Sequence, residues 1–284
     1  MSELLMSQLA VTNMVYMHFS FDYFLDSCDR LGIHQLELYG CSHHFHFYDQ
    51  KENPSRASIP LILLHPLPMC GSAVCSLWSR YLEDTLDLGT DRMILAPGWG
   101  YVDVPEEEAF ARSVEAIRRL AEKAAALGVK LSVEEMDPLS TLLVRDLPRL
   151  KKLLDAVGST QITACLDTFM AADNQETVEQ YYEAFGQIGH VHFSGYGREG
   201  YMVPGTGELA ALQQENADGD ATDVAPADKQ GAKTVLERQL ESLAAHHYEG
   251  DLVLGLWGAG YFKDPDAALR RSVQWVRESS LISM

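Results

Sequence analysis

The chain has 284 residues, of which 46% are hydrophobic and 22% charged, and its formal net charge is −19 at pH 7 from 41 Asp and Glu against 22 Lys and Arg. That length suits one domain built from eight strands and eight helices, which needs roughly 250 residues, and the acidic surplus disfavours a nucleic-acid partner because it repels a phosphate backbone. No run of apolar residues is long enough to cross a membrane, no basic, cleavable leader opens the chain, and the five scattered cysteines (Cys28, Cys41, Cys70, Cys75 and Cys165) read as reduced thiols, so the expectation is a soluble cytoplasmic protein.

In chain order, short β-rich runs alternate with amphipathic runs, the pattern of repeated βα units around a parallel sheet. A first strand is expected over residues 9–17, followed by a helix in FDYFLDSCDRLG that stops at Gly32. A second strand reads HQLELY (34–39), and a third lies within 59–70, where prolines blur its limits. A helix over 77–88 meets Gly89, and DRMILAPG supplies strand four. Residues 105–127 open on a proline and three glutamates and end before Gly128, so both ends carry helix signals. Strands five to eight are KLSVEEM (130–136), QITACLDT (161–168), GHVHFSG (189–195) and DLVLGLWG (251–258). The expected architecture is therefore one (β/α)8 TIM barrel domain over 1–284. Residues 210–233 have almost no large apolar side chains and read as an acidic, mobile loop; Asp218, Asp220 and Asp223 within it lack the spacing of a calcium-binding EF-hand.

Each of these strands begins apolar and ends polar, and the carboxyl ends of barrel strands face the active site. Glu134, Asp167 and His192 fall at such ends on three successive strands. Two carboxylates and one imidazole converging there suit one divalent ion: Mn²⁺, Mg²⁺, Co²⁺ or Zn²⁺. The competing account is a salt-bridge network at the barrel mouth. His190 shares the face of His192 one layer deeper, as a group supporting the ligands or a core histidine. His43, His44 and His46 follow strand two at the same mouth; His44 and His46 are candidates to hydrogen-bond a substrate hydroxyl. Trp99, Tyr101, Phe169 and Trp257 follow strands four, six and eight, and such aromatic residues dominate small-molecule pockets.

The segments LSVEEMDP, ACLDTFM, GHVHFSGYGREGYMVPGTGEL and YEGDLVLGLW, with ELYGCSHHF near residue 37, resemble in order and spacing the xylose isomerase-like sugar isomerase and epimerase superfamily, whose members include D-tagatose 3-epimerase and inosose dehydratase. The resemblance covers nearly the whole chain. It implies a TIM barrel enzyme of carbohydrate metabolism, binding manganese or a similar ion through Glu134, Asp167 and His192, with Glu134 also the base and a homo-oligomer allowed. It also implies Arg198, six residues after His192, as a substrate contact, followed by a Pro204-Gly205-x-Gly207 turn. Two positions depart from the family pattern: Gly255 stands where a fourth ligand, a Glu, is usual, and Met170 where ketose epimerases have a histidine. Inverting a carbon needs two opposed proton-handling groups, so these losses favour enolisation of a keto sugar or cyclic polyol with hydrogen transfer or elimination on one face. They equally allow a degenerate relative that binds a sugar or a partner subunit without turnover. The superfamily's endonuclease branch is disfavoured by the acidic charge. Glu135 alternates away from the pocket, which argues against its replacing the missing carboxylate.

Overall fold

A computed structural model describes residues 4–39, 44, 61–65, 81–100, 102–137, 141–197, 200–207, 233–258 and 260–283. The expected acidic loop over 210–233, apart from Lys233, and the side chains of His43, His46, Tyr101 and Arg198 lie outside those residues. Eight parallel strands close into a barrel: β1 (Leu9–Thr12), β2 (Gln35–Tyr39), β3 (Leu61–His65), β4 (Arg92–Leu95), β5 (Lys130–Glu134), β6 (Ile162–Asp167), β7 (Ile188–Phe193) and β8 (Leu252–Leu254). The last strand pairs with both β7 and β1, through Val253 opposite His192 and Ala10.

Closure without a free edge means that every barrel strand has two neighbours. The helices are α1 (Phe21–Leu31), α2 (Glu106–Leu127), α3 (Leu147–Val157), α4 (Thr168–Asp173), α5 (Val178–Phe185), α6 (Val235–Ala245) and α7 (Pro265–Glu278), with residues 81–87 also helical. Their starts are written in the sequence. The side chains of Ser20, Asp146, Thr177, Thr234 and Asp264 each accept a hydrogen bond from a first-turn amide, and Thr177 and Thr234 complete capping boxes with Gln180 and Glu237. The expected long helix before strand five is α2, stopped by Gly128 at φ 73°. No helix among the described residues is long and apolar enough to cross a membrane.

Period-two alternation divides the strands' side chains between two environments. Leu36, Leu38, Val133, Leu166, Val191 and Leu254 face outward and pack with Ile117, Leu120, Leu150, Leu243 and Leu269 of the helices, forming the main hydrophobic core. Inward-facing apolar groups are few among the described residues, with Ala10, Ile94, Cys165 and Val253 forming a small separate cluster. The rest of the described lining includes ionisable and hydroxyl side chains.

Several strands are shorter than the sequence pattern implies. The first ends at Thr12 because its side chain accepts from the Met14 amide and the chain turns into a 3-10 helix over Asn13–Tyr16. The third is described over Leu61–His65, with the rest of 59–70 outside the described residues, and the eighth stops at Leu254, three residues before Trp257. Strand seven ends at Phe193, after which Gly195–Gly197 pairs antiparallel with Gly200–Met202 as a separate hairpin above the barrel. Beneath that hairpin, a β-carbon on Gly205 would lie 2.1 Å from Trp275 Cδ1, and one on Gly207 2.4 Å from the Tyr196 carbonyl oxygen; both positions also have positive φ. The turn after the hairpin therefore requires glycine.

The first and last helices are joined by one carboxylate. Asp266 of α7 accepts hydrogen bonds from Tyr16 (2.8 Å), Tyr23 (2.9 Å) and Ser27 (2.6 Å) and pairs with Arg30 (3.0 Å). The Arg30 contact is exposed and adds little, but the three hydroxyls tie the barrel's closing seam. Asp266→Ala is expected to destabilise the fold by about 2 kcal/mol, the scale of hydrogen bonds to a charged acceptor, as read by chemical denaturation; an unchanged midpoint would show that the seam needs no such tie.

Candidate active site

The site forms at the carboxyl ends of β5, β6 and β7, with a further carboxylate from the middle of β2. Glu134 is the last residue of β5, and Asp167 and His192 are register partners on β6 and β7. Their side chains are all buried. Nδ1 of His192 lies 2.5 Å from Oε1 of Glu134. Asp167 stands beside this pair with both oxygens engaged: Oδ1 accepts from the amides of Phe169 (2.7 Å) and Met170 (3.1 Å) at the start of α4, and Oδ2 accepts from the Tyr201 hydroxyl (3.3 Å).

Glu37, in the middle of β2, is a member of this cluster that the strand-end pattern does not single out. It is fully buried and accepts from Nε2 of His190 (2.9 Å) and from Nε2 of His192 (3.0 Å). His192 is thereby held by a carboxylate at each ring nitrogen, and its ring stands at 88° to that of His190, 5.0 Å away. A carboxylate on the far nitrogen of a histidine fixes its tautomer and orientation and raises its basicity as a ligand. The signal for Glu37 was its setting in QLELY, where Leu36 and Leu38 face the helices and alternation sends the charge between them inward.

The electrostatics follow from crowding. Burial alone would raise Glu37, but the charge of His192 and the hydrogen bonds from both imidazoles hold it down at about 2. Burial works against the His192 imidazolium, yet Glu134 and Glu37 together push it well above its ordinary value. Asp167 is raised above the usual carboxylate range, first by burial and then by the negative charge of Glu134. Three carboxylates thus share one buried space with two imidazoles, and an added cation would relieve the surplus negative charge. Among the described residues, two sets of ligand atoms gather within 4.8 Å: Glu134, Cys165 and His192, and Glu37, His190 and His192. Hard oxygens, imidazole and a thiol at such range are a donor set that fits a divalent ion.

Opposite His192, β8 continues into Gly255. Among the described residues, a β-carbon built there would meet only the His192 β-carbon, at 3.9 Å, so they leave room for a side chain that this sequence lacks. Glu135 points away from the site, as alternation implies: it lies buried behind the barrel wall with the Tyr181 hydroxyl 2.5 Å from its Oε1, and burial and Glu176 raise it well above the usual carboxylate range.

The sugar-contact candidates are distributed unevenly. Phe169 stacks on Tyr201 at 4.1 Å directly above Asp167, an aromatic pair at the mouth. Trp99 is half-buried after β4, with its carbonyl accepting from the Leu142 amide (2.7 Å). Trp257 is 43% exposed and packs edge-on to Phe262. For His44 the geometry corrects the expectation of a hydroxyl-binding group: its Nε2 lies 2.5 Å from the Phe19 carbonyl and its Nδ1 3.1 Å from the Asn13 amide nitrogen, so both ring nitrogens are committed within the protein. Asn13 in turn accepts from the Tyr39 amide, so Asn13 fastens the end of β2 to the 3-10 turn over Asn13–Tyr16 and His44 is bonded to that link.

With this barrel and this mouth, the chain belongs to the xylose isomerase-like TIM barrel family, which matches residues 65–279. A curated relative, the L-ribulose 3-epimerase of Mesorhizobium japonicum (strain LMG 29417 / CECT 9101 / MAFF 303099), is 30% identical over 132 residues, spanning 45% of this chain and less than half, 44%, of the relative's length. Among solved structures, the fold is similar to D-psicose 3-epimerase from Clostridium cellulolyticum H10 with D-tagatose (TM-score 0.66, 16% identity, 94% of this chain and 96% of that one). It is also similar to D-allulose 3-epimerase from Methylomonas sp. (TM-score 0.69, 14% identity, 98% of each chain).

Proposed function

We propose that this protein is a divalent-metal-dependent sugar isomerase or epimerase-like enzyme that acts on a keto sugar or cyclic polyol by enolisation beside a carbonyl. The supporting observation is the buried contact between Glu134 and His192, with Asp167 raised beside them, at the mouth of a barrel of this family. The names of the three similar proteins reported above, each a ketose 3-epimerase, support the ketose class.

Glu134, Asp167 and His192 would hold the ion, and His190 would support them through Glu37. A divalent cation in such a site supplies Lewis-acid polarisation of a sugar carbonyl. The carboxylate of Glu134 takes the proton from the carbon next to that carbonyl. Phe169 and Tyr201 offer an apolar wall for the sugar's C–H face, with Trp99, Trp257, Arg198 and His46 as further contacts. Tyr201 holds Asp167 from above and limits its rotation. With Gly255 opposite, the described mouth has no second carboxylate on the other face, so Glu134 returns its proton on the side from which it came. That favours a hydrogen shift or elimination over inversion.

Elemental analysis after supplying Mn²⁺ or Co²⁺, together with a screen of ketoses and inososes, tests the proposal. Bound metal and turnover that Asp167→Ala abolishes are expected. A protein that takes up no metal and is indifferent to Asp167→Ala would overturn it.

The space at Gly255 supports a second possibility, a relative that binds sugar without turning it over. Gly255→Glu adds a fourth carboxylate where, among the described residues, one neighbour is met. On that account the variant gains epimerase activity that the natural chain lacks; measurable turnover by the natural chain rules it out.

A further inference from the structure

Cys165 lies two residues before Asp167 on β6, so alternation puts both side chains inside the barrel with the thiol one layer deeper. It is completely buried, and it is the register partner of Glu134 on one side and of His190 on the other. Its Sγ lies 4.0 Å from Nδ1 of His192, the same nitrogen that touches Glu134, and ligand atoms of all three residues fall within 4.8 Å of one another. Gly255, at the carboxyl end of β8, offers no side-chain donor of its own.

We infer that Cys165 is itself a ligand of this centre, supplying from below the donor that is missing at Gly255, and that the site therefore prefers the thiophilic ions Zn²⁺ and Co²⁺ over Mg²⁺ and Mn²⁺. The inference rests on the proposed metal site and specifies its chemistry. A thiolate is a soft donor that selects zinc-like ions, whereas carboxylate and water suit magnesium and manganese. Metal entry replaces the thiol proton, which leaves to solvent, and no oxidation state changes. A buried cysteine otherwise packs as a small hydrophobe, and the same experiment separates the two roles.

The full chain is stripped with a chelator, refilled with Co²⁺, and analysed for metal content and near-ultraviolet absorption, alongside Cys165→Ser and, as a control, Cys28→Ser, whose thiol is buried in the outer core. The natural chain and Cys28→Ser should bind cobalt and show a thiolate-to-cobalt charge-transfer band, and Cys165→Ser should lose the band. Zinc affinity should fall on the order of 100-fold or more in Cys165→Ser, since losing even a partner that only orients a ligand costs about 10–100-fold, with manganese affinity nearly unchanged. Cobalt bound without the band, or a band that survives Cys165→Ser, overturns the role of Cys165 and leaves the centre standing. A natural chain that takes up no cobalt overturns the proposed function as well. Should Cys165→Ser fail to fold, X-ray absorption on the zinc-loaded natural chain decides: sulfur at about 2.3 Å supports the inference, and only light ligands at about 2.0–2.2 Å overturn it.

Discussion

Glu134→Gln is expected to lower turnover on the order of a thousandfold while changing KM little, because general-base catalysis contributes roughly 10²–10⁴-fold and the amide is a near-isostere that cannot accept the proton. The amide oxygen can still receive the hydrogen bond from His192 Nδ1 that the carboxylate takes now, so the barrel mouth should keep its shape. Metal content measured on the same preparation separates loss of the base from loss of the ion. If turnover falls only in proportion to bound metal, Glu134 acts as a ligand alone. If the variant keeps its metal and its rate, the proton is handled by another group and the assignment of the base is wrong.

The second large effect belongs to Glu37. Removing it by Glu37→Ala leaves His190 and His192 buried without the carboxylate that both donate to, and breaking a buried pair from one side costs about 3–5 kcal/mol. The loss should be seen in denaturant unfolding of chelator-treated protein, so that a bound ion does not mask it. Its pH dependence has a definite sign. Glu37 is held at about 2 against an ordinary 4.5, so its contribution is fully present above pH 4.5 and disappears as pH falls towards 2. His192 is raised, so its contribution is lost only as pH rises through its elevated value, well above 6.5. The difference between natural chain and variant should therefore be largest between about pH 4.5 and 6.5 and shrink on acidification below that window. A difference that grows towards low pH would mean that Glu37 is protonated in the folded state.

Much of the architecture was legible in the sequence because the two sides of each strand answer to different demands. Leu36, Leu38, Val133 and Val191 must meet helices, and the resulting apolar alternation, bounded by helix caps such as Asp146 and stops such as Gly128, marks the βα repeat. Strand limits were less legible. Apolar residues continue past Thr12 and past Leu254, but the strands do not: after Thr12 its side-chain bond to the Met14 amide turns the chain into a 3-10 helix, and after Leu254 the Gly255 amide still donates to the Phe193 carbonyl although the strand has ended. In the site, Glu134, Asp167 and His192 stood out through their strand-end positions. Glu37 did not, being set in the middle of its strand, and Cys165 passed for one of several scattered thiols, since depth within a barrel is a property of register between strands. The shift of register between Ala164 and Cys165, which sets Cys165 opposite His190, leaves no mark in composition. His44 lay in a histidine-rich stretch that pointed to the mouth, whereas Asn13, far away in sequence, decides where it binds.

The separation of an oily outer shell from an ionisable lining has one further consequence. A shell held by helix-to-strand packing asks only for volume and apolarity, so its residues can drift while the cylinder persists, as similarity of fold at 14–16% identity illustrates. The lining is coupled in the opposite way: altering one member strands its partners, while exchanging Glu37, His190 and His192 together for well-packed hydrocarbon side chains should leave a sturdy, chemically inert cylinder. Sturdiness and reactivity are thus written on opposite faces of the same strands.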